Sequence, residues 1–528
     1  MRFAGPGAKV RLIVETARLL PALIAAALAP AAMACAAAQA HPALAPAAPP
    51  TAPSAAPAPA ISAAARAAWR FDRSDLPPHP GVRFGILANG MRYAVMRSAV
   101  PAGALSLRLR VDVGAAAERD DERGFAHLVE HMVFHGTPGI PEGALPMMLS
   151  QRGLKRWTDF NAFTSYDETV YRLDMGRSDA AARETSLRLM REIAGNLGFG
   201  RAAVAGARAA VREEIRARDA ARDGILVAQN RLFAPGTPIA RGPVAGTPAE
   251  VARAAGPALR RLYETFYVPE RTILVLVGDV DPGAAEAEIA ALFDDWRPRA
   301  APAPDRPPPA FPPRRLLETA LYVDRAAPTL VTIAVPAPLG GGADPGRSRD
   351  AHFLEHLAGQ MLNRRLARLA AAPGAPFTAA DHAAYDHFAT VRLARIELDA
   401  RERDWRGALR AGAAELKRAL AGGFTQAELD AQLAAARAGF ARSAAPRTAP
   451  TLADAIVDAA GRGIVFTEPA DPAGTEAYLA RIRLAEVNAA FRAAWAPPER
   501  LVFVAHHRRI PGGEPAIAAA WREADGSR

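Results

Sequence analysis

G-F-A-H-L-V-E-H-M-V-F-H-G-T, residues 124–137, carries His127, Glu130 and His131 in an H-x-x-E-H array. This is the inverse of the H-E-x-x-H arrangement through which helices hold zinc. Residues four apart on a helix share a face, so both imidazoles can reach one ion, with Glu130 between them beside the open coordination position. Zinc held by two histidines and one carboxylate keeps a place for water and acidifies it, which leaves Glu130 to take the proton. His135, one turn further and next to Gly136-Thr137, reads as a helix-terminal, exposed residue that suits the helix dipole.

The array supplies only two protein ligands, so a third must come from elsewhere. Val204 to Asp219 reads V-A-G-A-R-A-A-V-R-E-E-I-R-A-R-D, an Ala-rich helical stretch in which Glu213 and Glu214 are the only carboxylates before Asp219. Adjacent helical residues point about 100° apart, so only one of the two can face a metal. Spacing alone does not choose between them.

Together with N-A-F-T-S-Y-D-E-T-V-Y (161–171), V-R-E-E-I (211–215) and a hairpin-like F-G-I-L-A-N-G-M-R-Y-A-V (84–95), the 124–137 segment resembles the pitrilysin family. That family includes insulin-degrading enzyme and the mitochondrial processing peptidase, and the resemblance runs from about residue 70 to the C-terminus. It implies a zinc metalloendopeptidase with Glu130 as catalytic base and Glu214 as the third ligand beside His127 and His131. It also implies that the strand at Asn161 and Ala162 holds the substrate, with Phe134 and Phe163 lining the pocket beside the scissile bond. Backbone pairing of that kind gives affinity with little sequence preference. Two departures stand out. The accessory acid two turns before the distal ligand is replaced by Ala207, which implies slower turnover, and the interval of 83 residues from His131 to Glu214 is long for the family. The excess is assigned to a loop at Gln151 to Phe160.

A chain of 528 residues, 50% hydrophobic and 23% charged, has room for two sizeable cores. Cys35 is the only cysteine, which excludes intrachain disulfides. Residues 1–40 place Arg2, Lys9, Arg11 and Arg18 before an apolar run and end in Ala38-Gln39-Ala40. They read as a signal peptide, and A-M-A-C at Cys35 offers lipoprotein processing as the other route. Both lead to the bacterial periplasm or its membrane faces. Removing residues 1–40 lowers the formal charge from +10 to about +7. The arginines are scattered without an aromatic-interleaved stripe, so nucleic acid is not an expected partner, and no later stretch is apolar enough to span a bilayer.

Residues 41–66 are an Ala/Pro-rich linker, and a second Pro-rich linker at 297–315 divides the rest into domains at 67–296 and 316–528. A shift of 225 residues lays His127, Glu130 and His131 on His352, Glu355 and His356, and Gly198-Phe199 on Gly423-Phe424. Four more residues of slack bring Pro269-Glu270-Arg271 onto Pro498-Glu499-Arg500. The fold expected is α+β: two homologous domains, each a sheet covered by helices, forming half of a clamshell chamber. In the second copy the place of Glu214 falls on Gly439, with Glu428 eleven residues earlier. That copy therefore lacks its third ligand, and one zinc per chain is expected.

In the resemblance, four such domains close a chamber, and its other half contributes an Arg and a Tyr seven residues apart that steady the substrate carbonyl. None of Arg364, Arg365 and Arg368 has a tyrosine at that spacing. The expected assembly is therefore a homodimer, or a heterodimer with a homologous subunit that supplies the pair. The alternative reading of the whole chain is a non-catalytic partner or peptide-binding subunit of such a complex.

Overall fold

L-S-L-R-L-R-V, with its strict alternation, forms a strand, and all seven of its residues are buried because both faces of its sheet are covered. The protein is described by a computed structural model that covers residues 61–137, 159–301, 315–340, 346–443, 446–469 and 471–526, with positions 139, 147 and 311 besides. The signal segment, Cys35, most of the first linker and residues 302–310 and 312–314 of the second lie outside the described residues.

The first sheet contains β1 (Val82–Ile86), β2 (Arg92–Arg97), β3 (Leu105–Val111), β4 (Phe160–Thr164), β5 (Thr169–Met175) and β6 (Thr272–Gly278), in the order β1-β2-β6-β3-β5-β4. Only β2 and β6 run parallel. The segment 161–171 is thus a hairpin rather than one strand, and of its two strands only β4 lies at an edge of the sheet. Phe160, assigned from the sequence to a loop, opens β4 fully buried; residues 151–158 lie outside the described residues. Helices α1 (Ala63–Ala68), α2 (Phe125–Met132), α3 (Ala180–Gly195), α4 (Arg201–Ala217), α5 (Ala220–Phe233), α6 (Pro248–Arg253), α7 (Gly256–Phe266) and α8 (Pro282–Phe293) accompany it. α1 begins inside the expected linker: Ser62 caps it, Ala65 is buried, and Trp69 Nε1 donates to Gly85 O at 3.0 Å. The folded chain therefore starts before residue 67.

The second sheet runs β7 (Leu317–Val323), β11 (Arg500–His506), β8 (Leu330–Ala337), β10 (Val391–Ala400), β9 (Phe377–His387). This is the order of the first sheet without β1, again with a single parallel pair. Its helices α9 (Gly346–Ala371), α10 (Trp405–Gly422), α11 (Gln426–Ser443), α13 (Pro472–Arg481), α14 (Leu484–Ala494) and α15 (Gly513–Asp525) repeat α2, α3, α4, α6, α7 and α8. The duplication counted along the sequence is a duplication of fold.

The linear domain boundary needs one correction. α12 (Ala449–Arg462), from the second half, covers the far face of the first sheet, packing Ala449, Ile456 and Val457 on Val170, Ile273 and Val275. Its repeat, α5, covers the far face of the second sheet, packing Ile225, Leu232 and Phe233 on Leu330, Leu393 and Phe503. Each half thus lends one helix to the other. The exchange brings Asp454 to fully buried Arg108, with Oδ1 2.6 Å from Nε, while Asp174 takes Nη1 at 2.8 Å and Arg172 also bonds Asp454. The 225-residue shift carries Asp454 to Gln229 and Arg172 to Glu397, and Gln229 Nε2 donates to Glu397 at 3.1 Å. The contact recurs with its polarity reversed.

Asp454→Ala is expected to lower unfolding stability by about 1–2 kcal/mol. That lies below the usual cost of breaking a buried pair, because Asp454 is 42% exposed and Asp174 remains. A urea titration checks it, and an unchanged midpoint would show that the exchanged helix is held by apolar contacts alone.

Candidate metal centre

Every residue of α2 is buried, so its imidazoles approach their partners out of water. The helix starts at Gly124, φ 83°, where a Cβ would lie 2.6 Å from Ala245 O. No side chain of the usual type caps it. Instead the buried carboxylate of Glu118 accepts from Gly124 N–H at 2.9 Å and Ala126 N–H at 2.7 Å. Burial pushes the Glu118 carboxyl up to about 8, against the pull of those two amides.

α4 brings the distal carboxylate. Val204, Ala207 and Val211 form its buried stripe, and the next step of that stripe is Glu214. Glu214 Oε2 lies 3.2 Å from His131 Nε2 and 3.5 Å from His127 Nε2. Glu213, one residue and a quarter turn away, is 70% exposed and pairs with Arg216 at 2.6 Å. The other Glu214 oxygen, Oε1, accepts from Arg218 at 2.5 Å, which orients the carboxylate. Burial would raise the Glu214 carboxyl, but the bond to His131 and the charges of His127 and Arg218 outweigh it and hold it well below the usual carboxylate range.

Glu130 is the second carboxylate of the cluster. Its Oε2 is 4.0 Å from His127 Nε2 and accepts from the Thr164 hydroxyl at 2.7 Å. Donor atoms of His127, Glu130 and His131 all lie within 4.8 Å of one another. Glu214 nevertheless touches both rings, whereas Glu130 is tied to β4. Burial pushes the Glu130 carboxyl up to about 7, opposed by His131 and by the Thr164 bond. Burial also lowers His127 to about 3, so its ring is neutral and offers a lone pair, and its Nδ1 is buried without a hydrogen-bond partner. Two imidazoles and a fixed carboxylate are the donor set that zinc takes in sites of this kind, so the residues present fit the ion.

The expected substrate residues divide between the two faces of β4. Ala162 packs on the α2 side, and its N–H donates to Asn161 Oδ1 at 2.9 Å. Phe134 is buried on that side, 6.5 Å ring to ring from His131. Phe163 is the correction: the pleat turns it to the opposite face, against the layer that contains Val170 and α12, so it does not line the metal side. His135 also differs from expectation, being half-buried against Gly206. Ala207 is fully buried in the apolar layer, and no acid stands at its place.

Sequence reasoning missed Thr164, Arg218 and Glu118. Thr164 shares the Ala162 face by alternation, and Arg218 follows Glu214 by one helical turn, so both carried a signal. Glu118 acts from an irregular segment and carried none.

In the second copy, Glu355 pairs with Arg392 and Glu428 with Arg365 at 2.6 Å. Burial lowers His356 to about 4. By strand register His382 takes the place of Ala162, its ring packed against Gly359, while the place of Glu214 is Gly439.

Two family models match the chain: "Insulinase (Peptidase family M16)" over residues 93–236 and "Peptidase M16 inactive domain" over residues 257–435, together more than half of it. A probable zinc protease PqqL of Haemophilus influenzae is 31% identical over 209 residues, covering 39% of this chain and 22% of the relative. Its Escherichia coli counterpart is 32% identical over 215 residues, 40% and 23%. The matched part thus spans less than a quarter of these curated relatives. Among solved structures, the first half of the periplasmic protease PqqL from Escherichia coli superposes with a TM-score of 0.73 at 22% identity, over 86% of this chain and 98% of that one. Against the whole PqqL chain the TM-score is 0.74, and 51% of that chain is covered.

Proposed function

The chain belongs to peptidase family M16, and we propose that its first domain is a zinc-dependent metalloendopeptidase unit that cuts peptides or unfolded polypeptide segments. The observation that carries this reading is the convergence of α2 and α4, which puts one Glu214 oxygen 3.2 and 3.5 Å from the two imidazoles of H-x-x-E-H. In this reading His127, His131 and Glu214 hold one zinc ion and Glu130 is the general base. Bound zinc polarises the scissile carbonyl and acidifies water beside it. Glu130, pushed up to about 7 by burial, is matched to accepting a proton near neutrality. The outer edge of β4, beyond which no strand lies among the described residues, pairs with an extended peptide through Asn161 and Ala162, and Phe134 adds an apolar wall.

Thr164 aims the base. Thr164→Val is expected to lower kcat about ten-fold with zinc content unchanged, whereas Thr164→Ser keeps the hydroxyl and most of the rate. Steady-state kinetics with parallel metal analysis checks this, and a wild-type kcat in the valine variant would release Thr164 from the role.

The matched part covers about half of the full PqqL chain. In the proposed assembly a homologous partner or another copy closes the chamber and brings the Arg/Tyr pair. Arg365 cannot serve freely, being held by Glu428 at 2.6 Å and by Glu415 at 3.6 Å. The bacterial periplasm is the proposed place of action, in line with PqqL, and among the described residues no helix is long and apolar enough to cross a membrane.

Incubation with an unstructured peptide, followed by mass analysis of the products with and without a chelator, tests the reading. Chelator-sensitive internal cleavage is expected. An uncut peptide at full zinc loading, with every candidate second half present, would refute it.

A further inference from the structure

The tip of the β9–β10 hairpin is built against its own backbone preference. His387 to Thr390 make a β-turn within the three-residue loop that joins the paired residues His387 and Val391, and Thr390 N–H closes it by donating to His387 O at 3.0 Å. Its central residues, Phe388 and Ala389, have φ of 46° and 47°. Asn-Gly or Gly-Gly supplies that left-handed pair easily, and Phe-Ala does not. Strain of this kind persists only where surrounding contacts hold it.

Those contacts come from the other domain. The Phe388 ring meets Tyr166 edge-on, with centroids 4.6 Å apart and planes at 63°. His387 Nε2 donates to Asn230 Oδ1 at 2.7 Å, Asn230 Nδ2 donates to the Tyr166 hydroxyl at 3.1 Å, and that hydroxyl donates to Gly242 O at 2.9 Å. The amide orientation is fixed, because Asn230 Nδ2 also donates to Ile239 O at 3.2 Å, a group that only accepts. Tyr166, Asn230 and His387 are all buried, so these bonds are made away from water.

Tyr166 stands at a junction. It follows Thr164 by two residues, in the turn between β4 and β5. Ser165 O and Tyr166 O accept from Ala115 N–H at 3.0 Å and Ala116 N–H at 2.8 Å, and that segment leads directly to Glu118, the cap of α2. One turn therefore joins the edge strand, the tether on Glu130 and the start of the metal helix.

We propose that Phe388, from the second domain, is a positioning residue for the site in the first: its ring fixes Tyr166, and through that turn the placement of β4 and Thr164. The kinetic side of this proposal rests on the peptidase reading, and the conformational side does not.

The test uses the full chain with Phe388→Asn and Ala389→Gly combined, which gives the turn the pair it prefers and removes the ring. Thermal stability is expected to hold or rise. Amide exchange over residues 162–168 should quicken about ten-fold, and kcat/KM on an unstructured peptide should fall about ten-fold at unchanged zinc content. A purely structural turn would give a better turn with neither change. Ala389→Gly alone relieves strain and keeps the ring, so exchange and turnover should match wild type, and Phe388→Tyr should restore both. Unchanged exchange in the double variant would overturn the proposal, as would unchanged turnover. A wild type without peptidase activity, combined with quickened exchange in the variant, would refute the functional reading and leave the positioning contact standing.

Discussion

Glu130→Gln is expected to slow peptide hydrolysis by roughly 10²–10⁴-fold while leaving the zinc content and the fold as they are. Glutamine has the shape of glutamate and can still accept from the Thr164 hydroxyl that now bonds Oε2 at 2.7 Å. It also removes a buried carboxylate whose ionisation is disfavoured, so stability should not suffer. What it cannot do is take a proton. The loss should therefore fall on kcat, with KM for a fluorogenic peptide near that of wild type. Equal rates in the two proteins at matched zinc content would end the peptidase reading. They would favour a peptide-binding role for the chain.

Glu214→Ala should act one step earlier, on the metal. Losing a group that merely orients a ligand costs about 10–100-fold in metal affinity, so losing the ligand itself should cost well over that. The variant is expected to purify with little zinc and to show no cleavage at zinc concentrations that saturate wild type. Arg218, now bonded to Glu214 at 2.5 Å, would lose its partner at a site partly open to water, so the fold should survive. Glu213→Ala provides the contrast. That residue pairs with Arg216 at the surface, and its removal should change stability by less than about 0.5 kcal/mol and zinc not at all. Full zinc in Glu214→Ala would move the third ligand to Glu130, whose oxygen is 4.0 Å from His127 Nε2.

Much of this site was legible because helical period and strand alternation are local rules. The choice of Glu214 over Glu213 came from the family resemblance, and the buried stripe of Val204, Ala207 and Val211 leads to residue 214 in the structure. The strand at Leu105–Val111, the hairpin β1–β2 and the repeat at 225 residues appear in the structure as they read in the sequence. The errors have a common origin: an apolar pattern tells which face is buried and not against what. α5 and α12 read as members of their own halves, and their exchange depends on tertiary packing between sheets. The resemblance implied Phe163 on the metal side; the pleat of β4 puts it on the other face. Glu118 caps α2 from outside regular structure, and Phe388 occupies a turn that its residue type does not favour. The first partner is near in sequence but reached from a segment with no period to mark it, and the second, Tyr166, is a distant neighbour that no window of sequence contains.

Zinc titration of the metal-stripped full chain, in the assembly in which it is active, with peptide cleavage followed at each addition, tests the central claim most directly. The rate should return with added zinc and level off at one ion per chain, because only the first copy combines its two histidines with Glu214. A rate indifferent to stripping, or one that levels off only at two ions per chain, would contradict it.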